Sequence, residues 1–253
     1  MDIQSDTEKG SVWKGVNHMD LEFYRPYFTK DFLMGPNSLR VLKELLDKNP
    51  KSLGADSLIL DLGCGTGLTS FALCHETGAK VLANDLWISG EENAARFAAW
   101  GVGDHITPVH ENADNLNFEK ESFDAIVSID SYHYFAGTEG YFQKKILPFL
   151  KPGGIALFGV PGIKEAYDIQ TIELLSPWLE EEAWMFRSVR QWRKILGEYA
   201  DMASVEVFEL GCFEPAWQDW LAIDNQFARS DAACWENIIM PYTCFVGMIV
   251  RKN

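Results

Sequence analysis

Short apolar runs alternate with longer amphipathic stretches through the middle of the chain. Leu58–Leu62, Lys80–Asn84, Ile106–His110, Phe123–Asp130 and Ile155–Val160 are brief and rich in Leu, Ile, Val and Ala. Runs of that length, bounded by glycine or acidic residues, predict buried strands. Leu68–Thr77, Glu91–Trp100 and Gly140–Leu150 lie between them and carry helical spacing. Strands alternating with helices at this interval predict a parallel sheet covered on both faces. Upstream, Leu39, Leu42, Leu45 and Leu46 predict a helix over Ser38–Leu46, with Asn37 or Ser38 as its N-cap.

The pattern changes beyond residue 160. The segment 162–200 is predicted to hold no strand, with helices at Thr171–Leu175 and Trp184–Tyr199. Two further strands are predicted at Ser204–Leu210 and Thr243–Val250. Trp217, Trp220, Phe227 and Trp235 mark a helical stretch between them, read first as core. Residues 1 to about 17 read as a mobile polar leader. Met19–Phe28 is unusually aromatic. It reads either as packing on the core or as a cap over a cleft, with Tyr24, Arg25 and Tyr27 facing a ligand. The expected organisation is a cap segment and helix over 1–50 and one α/β domain over 51–253. Insertions are expected at about 162–200 and 212–240.

Apolar residues make up 47% of 253, enough for one large α/β core. Lys and Arg number 22 against 37 Asp and Glu, a formal charge of -15. That balance excludes broad binding to a phosphate backbone unless a basic patch is segregated. Arg187, Arg190, Arg193 and Lys194 come nearest, and they read as a solvated helix face. The five cysteines show no CxxC pair and no zinc spacing, so no metal is expected. The acidic first residues resemble no signal peptide, and no apolar run approaches membrane-spanning length. The expected location is the cytoplasm.

The chemistry concentrates where the first strand ends. Leu58-Ile59-Leu60-Asp61-Leu62 runs into Gly63-Cys64-Gly65-Thr66-Gly67 and then into a helix. Glycine adopts backbone angles closed to other residues and lets a ligand lie against the main chain. The helix beyond offers unpaired N–H groups. Asp85 ends the second strand, where a carboxylate can bond a ribose. A dinucleotide fingerprint spaces its glycines as G-x-G-x-x-G, and Leu68-Thr69-Ser70 supplies no third glycine at that spacing.

Asp61-Leu62-Gly63-Cys64-Gly65-Thr66-Gly67 resembles motif I of the class I S-adenosylmethionine-dependent methyltransferases. The resemblance covers roughly residues 36–160 and extends to the last two strands, which resemble the family's closing antiparallel hairpin. Asn112-Ala113-Asp114 resembles the loop flanking the adenine, with Asn112 standing where the family usually carries Asp. Lys151-Pro152-Gly153-Gly154 resembles the turn before strand five. The resemblance implies a doubly wound, Rossmann-like sheet of seven strands in the order 3-2-1-4-5-7-6, the last antiparallel. It implies S-adenosylmethionine as cofactor, S-adenosylhomocysteine as product, and cofactor contacts from Asp61, Gly63, Cys64, Gly65, Gly67, Asp85, Leu86, Asn112, Ala113 and Asp130.

Methyl transfer from a sulfonium needs alignment and exclusion of water, and a base only where the acceptor loses a proton. Asp130 and His133 follow strand four, at the sheet end where such folds place ligands. His133 is a candidate base or a structural residue of the loop. Asp130 is a candidate for the cofactor's ammonium or a cationic acceptor. Tyr24, Tyr27, Tyr132, Tyr134 and Trp87 are candidates to surround a cation. The expected activity is methylation of nitrogen or oxygen on a small molecule, in a monomer or homodimer. An NAD(P)-dependent oxidoreductase and a non-catalytic S-adenosylmethionine-binding protein stand as alternatives.

Overall fold

The computed structural model describes residues 19–49, 53–137, 140–197 and 201–253; the predicted polar leader lies outside them. Seven strands form one sheet: β1 (Leu58–Leu62), β2 (Lys80–Asn84), β3 (Ile106–Val109), β4 (Phe123–Ile129), β5 (Leu150–Ile163), β6 (Ala203–Leu210) and β7 (Thr243–Lys252). Their order is β3-β2-β1-β4-β5-β7-β6. The first five pair in parallel, and β7 runs antiparallel to both β5 and β6. The chain therefore reverses its direction of winding between β1 and β4. Their carboxyl ends leave a crevice there.

A short helix, α1 (Leu21–Tyr24), precedes α2 (Ser38–Lys48); α3 (Leu68–Thr77) and α4 (Gly90–Ala99) follow β1 and β2. Asn37 caps α2 by accepting from the Leu39 N–H at 3.0 Å. Ser89 and Glu92 form a capping box on α4. On one sheet face Leu39, Leu42 and Leu45 of α2 and Phe71 of α3 join Trp217 and Trp220 in a single core. On the other, Phe142, Phe158 and Trp192 pack with Tyr132 of α5 (Tyr132–Phe135). Aromatic residues of the late helical stretch are thus largely core, as read from sequence, although Phe227 is exposed.

Three elements differ from expectation. Gly140–Leu150 is not an α-helix: a π-turn covers Phe142–Ile146 and a 3-10 turn covers Leu147–Phe149. Pro148 has no N–H to continue a helix. Second, β5 starts at Leu150 and includes Lys151–Gly154, expected as a turn. Its register with β4 jumps between Phe123 and Ala125, and Gly153 sits at φ 69°. Third, the long predicted helix from Trp184 divides. A 3-10 stretch, Glu180–Met185, precedes α7 (Val189–Gly197), and Ser188 separates them by capping Gln191. Residues 198–200 lie outside the described segments.

The remaining helices are α6 (Thr171–Leu179), α8 (Phe213–Leu221), α9 (Gln226–Cys234) and α10 (Met240–Tyr242). Asp231 of α9 accepts from the indole N–H groups of Trp178 and Trp220, both at 2.8 Å, and so joins α6, α8 and α9. Asp219 of α8 binds Asn37 and Arg40 at 2.7 and 2.5 Å, which fastens α8 to α2. Among the described residues no helix is long and apolar enough to cross a membrane.

Candidate cofactor cleft

A cleft of about 350 Å³ opens at the carboxyl ends of β1, β2 and β4. Its size falls at the lower end of small-molecule sites. The glycine turn forms one side. Gly63, Gly65 and Gly67 all adopt left-handed angles, with φ of 76°, 55° and 83°. Space also requires glycine: a Cβ on Gly63 would lie 1.8 Å from Ser131 Oγ, and one on Gly67 would lie 2.4 Å from the Phe97 ring. Gly67 is therefore a packing residue between α3 and α4, away from the cleft wall.

Asp85 fixes the turn to the end of β2. Its carboxylate accepts from the backbone N–H of Gly65 at 2.8 Å, Trp87 at 2.7 Å and Ile88 at 2.8 Å. Asn93 donates to the Gly65 carbonyl at 3.0 Å. Across the cleft, Asn84 and Glu111 exchange two hydrogen bonds at 3.0 Å. Asn112 accepts from the Asp114 N–H at 2.8 Å, and Tyr141 holds the Ala113 carbonyl at 2.8 Å. Gly63, Cys64, Gly65, Asp85, Leu86, Asn112, Ala113 and Asp130 all line this one cleft.

Asp61 does not line it. The residue is fully buried behind the turn, where Oδ2 accepts from the Thr69 and Ser70 hydroxyls, both at 2.6 Å. Oδ1 has no partner. Burial pushes this carboxyl up to about 6, against the two hydroxyls that favour its charge, and nearby Asp85 adds to the rise. Asp61 ties the strand to the first turn of α3.

His133 is also absent from the cleft lining. It is 3% exposed, its Nδ1 has no partner, and its ring centroid lies 4.2 Å from that of Tyr134. Burial, helped by the Arg187 guanidinium, pulls the imidazole down to about 3. A ring so placed is neutral near pH 7 and a weak base. The expected aromatic cap differs as well. Tyr24 donates to Glu76 at 2.7 Å, and Tyr27 packs on Phe71 and Trp100, so both serve the outer side of α3. Arg25 pairs with Glu22. Tyr132 is buried against Phe158 with ring centroids 3.9 Å apart.

The segment that does reach the cleft is Phe32–Pro36, which sequence reasoning passed over. Thr66 donates to the Phe32 carbonyl at 2.7 Å. A Cβ on Gly35 would lie 3.1 Å from Asp130 Oδ2, and one on Gly65 would lie 3.0 Å from Met34 Sδ. The signal available in the sequence was the Gly35-Pro36 breaker immediately before α2. Trp87 and Tyr134 meet edge to face at 5.4 Å, joining the β2 loop to the β4 loop. Asp130 has φ 55° and donates its N–H to the Gly159 carbonyl at 2.7 Å. Burial pushes its carboxyl up to about 7, with a contribution from Asp231.

Residues 59–154 match the sequence profile of a methyltransferase domain family. That stretch carries a methyltransferase domain, and the fold around it is the one class I S-adenosylmethionine-dependent methyltransferases share. A sterol 24-C-methyltransferase of Yarrowia lipolytica is 32% identical over 105 residues, 40% of this chain and 26% of that protein. The demethylmenaquinone methyltransferase of Clavibacter sepedonicus is 31% identical over 152 residues, 54% of this chain and 60% of that protein. The chain thus spans about a quarter of the length of the sterol methyltransferases it matches. A geranyl diphosphate methyltransferase solved with S-adenosylmethionine shares the fold, with TM-score 0.63, 18% identity and 85% of each chain covered. The cleft suits the cofactor of such domains in the charge of its lining. Its floor is bare main chain at Gly63 and Gly65, and its charged lining consists of carboxylates, which suits a sulfonium and an ammonium.

Proposed function

We propose that the chain transfers a methyl group from S-adenosylmethionine to a nitrogen or oxygen of a small-molecule acceptor. One observation carries the reading: the glycine turn, Asp85 and Asp130 converge on one cleft whose charged lining, among the described residues, is acidic. When bound, S-adenosylmethionine supplies a methyl group on a positive sulfur. Gly63, Cys64 and Gly65 offer main chain for its amino-acid tail. Asp85, already anchored by three N–H groups, has lone pairs left for ribose hydroxyls. Leu86 and Ala113 flank the base, and Asn112 and Asp114 offer acceptors to its amine. Asp130 stands at the β4 end of the cleft and takes the acceptor's proton. Met34, Trp87 and Tyr134 exclude water from the mouth. His133 positions the loop through its ring contact with Tyr134 rather than acting as base.

Phe32–Pro36 caps the cleft, and the helical pieces after β5 form a lid. All five cysteines are free, which suits a reducing, cytoplasmic location. A carbon acceptor is the second reading, favoured by the name of the sterol relative and by the apolar mouth of the cleft. Geranyl diphosphate, named for the structural neighbour, is an anion that the cleft lining offers no cation to meet.

Two measurements test the proposal. Thermal shift with S-adenosylhomocysteine and, separately, NAD should show stabilisation by the former; stabilisation by NAD alone overturns it. Labelled methyl donor incubated with a metabolite extract should yield a labelled small molecule by mass spectrometry. A product methylated on carbon would move the assignment to the second reading.

A further inference from the structure

The charged lining of the cleft is one-sided. Asp85, Glu111, Asp114 and Asp130 reach it, and among its lining residues there is no Lys, Arg or His. Three of these carboxylates belong to the nucleoside side. Asp85 is fastened to the glycine turn, while Glu111 and Asp114 bracket Asn112 on the β3 loop. Asp130 stands apart at the end of β4, and among the described residues its carboxylate has no hydrogen-bond or ion-pair partner. The charges that act on it include Asp231 of α9, and Gly35 of the N-terminal segment lies beside its Oδ2.

The mouth beside Asp130 is apolar. Met34 is 52% exposed, Leu86 51%, Trp87 68% and Tyr134 42%, and all four line the cleft. Large apolar side chains grouped at a cleft mouth mark a binding surface more often than chance exposure. Trp87 and Tyr134 add aromatic faces that attract a cation.

We propose that the methyl acceptor is an organic amine that arrives protonated, its apolar body on Met34, Trp87 and Tyr134 and its nitrogen on the Asp130 carboxylate. This rests on the reading of the cleft as the S-adenosylmethionine site. A carboxylate or phosphate acceptor would enter a lining that holds four acidic groups and no counter-charge. An alcohol would gain one neutral hydrogen bond where an ammonium gains a charge-assisted one. The ammonium has no lone pair for attack. One proton passes from nitrogen to Asp130, leaving a neutral amine and a neutral carboxylic acid, and returns to solvent when the product leaves. A carboxyl that titrates near neutrality suits this exchange.

The experiment is calorimetric titration of the full chain, loaded with S-adenosylhomocysteine at pH 7.5. The probes are 4-phenylbutylamine, 4-phenylbutan-1-ol and 4-phenylbutanoate, which share one apolar body. The amine should bind at least tenfold more tightly than either analogue. Asp130→Asn should weaken the amine at least tenfold and change S-adenosylhomocysteine affinity less than threefold; asparagine tolerates the left-handed backbone of this position. Trp87→Ala should weaken all three probes alike. Equal or tighter binding of the alcohol or the carboxylate overturns the proposal, as does the absence of binding by the amine. So does an Asp130→Asn variant that loses the nucleoside as strongly as the amine, which would give Asp130 to the cofactor. Failure of the wild-type chain to bind S-adenosylhomocysteine at all would overturn the underlying reading instead.

Discussion

Asp61, Asp130 and His133 show how position decides chemistry for single residues. Both carboxyls are pushed up by burial, yet only Asp130 borders the cleft. As pH rises from 6 to 8 the Asp130 carboxylate form grows about tenfold, so transfer to an amine should rise by about that factor if Asp130 is the base. The rate limb near pH 7 should vanish in Asp130→Asn, as a stopped pH–rate series would show. His133→Gln should leave that limb unchanged, because the imidazole is already neutral there. Asp61 acts on stability. Its folded pKa, about 6, exceeds the ordinary value of 3.8, so the folded chain binds the extra proton between those values. Its contribution is present below about pH 4 and is lost as pH rises through 6. His133 has the opposite sign: its contribution is present above its ordinary 6.5 and is lost as pH falls toward 3. Denaturant unfolding at pH 4 and 6.5 should show Asp61→Asn removing a fall of about 2–3 kcal/mol across the window.

At the scale of elements, the glycine turn is a joint between β1, α3 and α4. Gly67→Ala forces a Cβ into the Phe97 ring and an L residue into φ 83°. The cost should be about 2–4 kcal/mol, seen as a lower denaturation midpoint, with S-adenosylhomocysteine affinity falling alongside. Most strands were legible because apolar runs such as Phe123–Ile129 have the length and composition of buried strands. The helix expected at Gly140–Leu150 failed because periodicity does not register the interruption at Pro148. The extension of β5 through Pro152 and Gly153 was illegible because those residues mark turns by habit, and a register shift is a property of two strands together. The cleft itself was legible from the turn and Asp85. The burial of Asp61 and His133 was not, since spacing along a chain places a residue at a strand end without saying which neighbours cover it.

For the molecule as a whole, the cleft depends on contacts far from it. Asp219 is no part of the lining, yet it holds Asn37 and Arg40, and Asn37 N–H also bonds the Ala216 carbonyl at 3.0 Å. Asp219→Ala should lower stability by about 1–3 kcal/mol, because Asn37 is buried and loses its partner. It should also weaken S-adenosylhomocysteine binding several-fold, because Met34, Gly35 and Pro36 lose their anchor; calorimetry and thermal melts on the same sample separate the two effects.

The tie from Thr66 to the Phe32 carbonyl has a consequence for how the protein is made. Phe32–Asn37 leaves the ribosome before any strand of the sheet. Its partners include Thr66, Ala216 and Asp219, so its seat is finished only after α8 has emerged. What is synthesised early is thus seated late, and a finished cleft waits on α8.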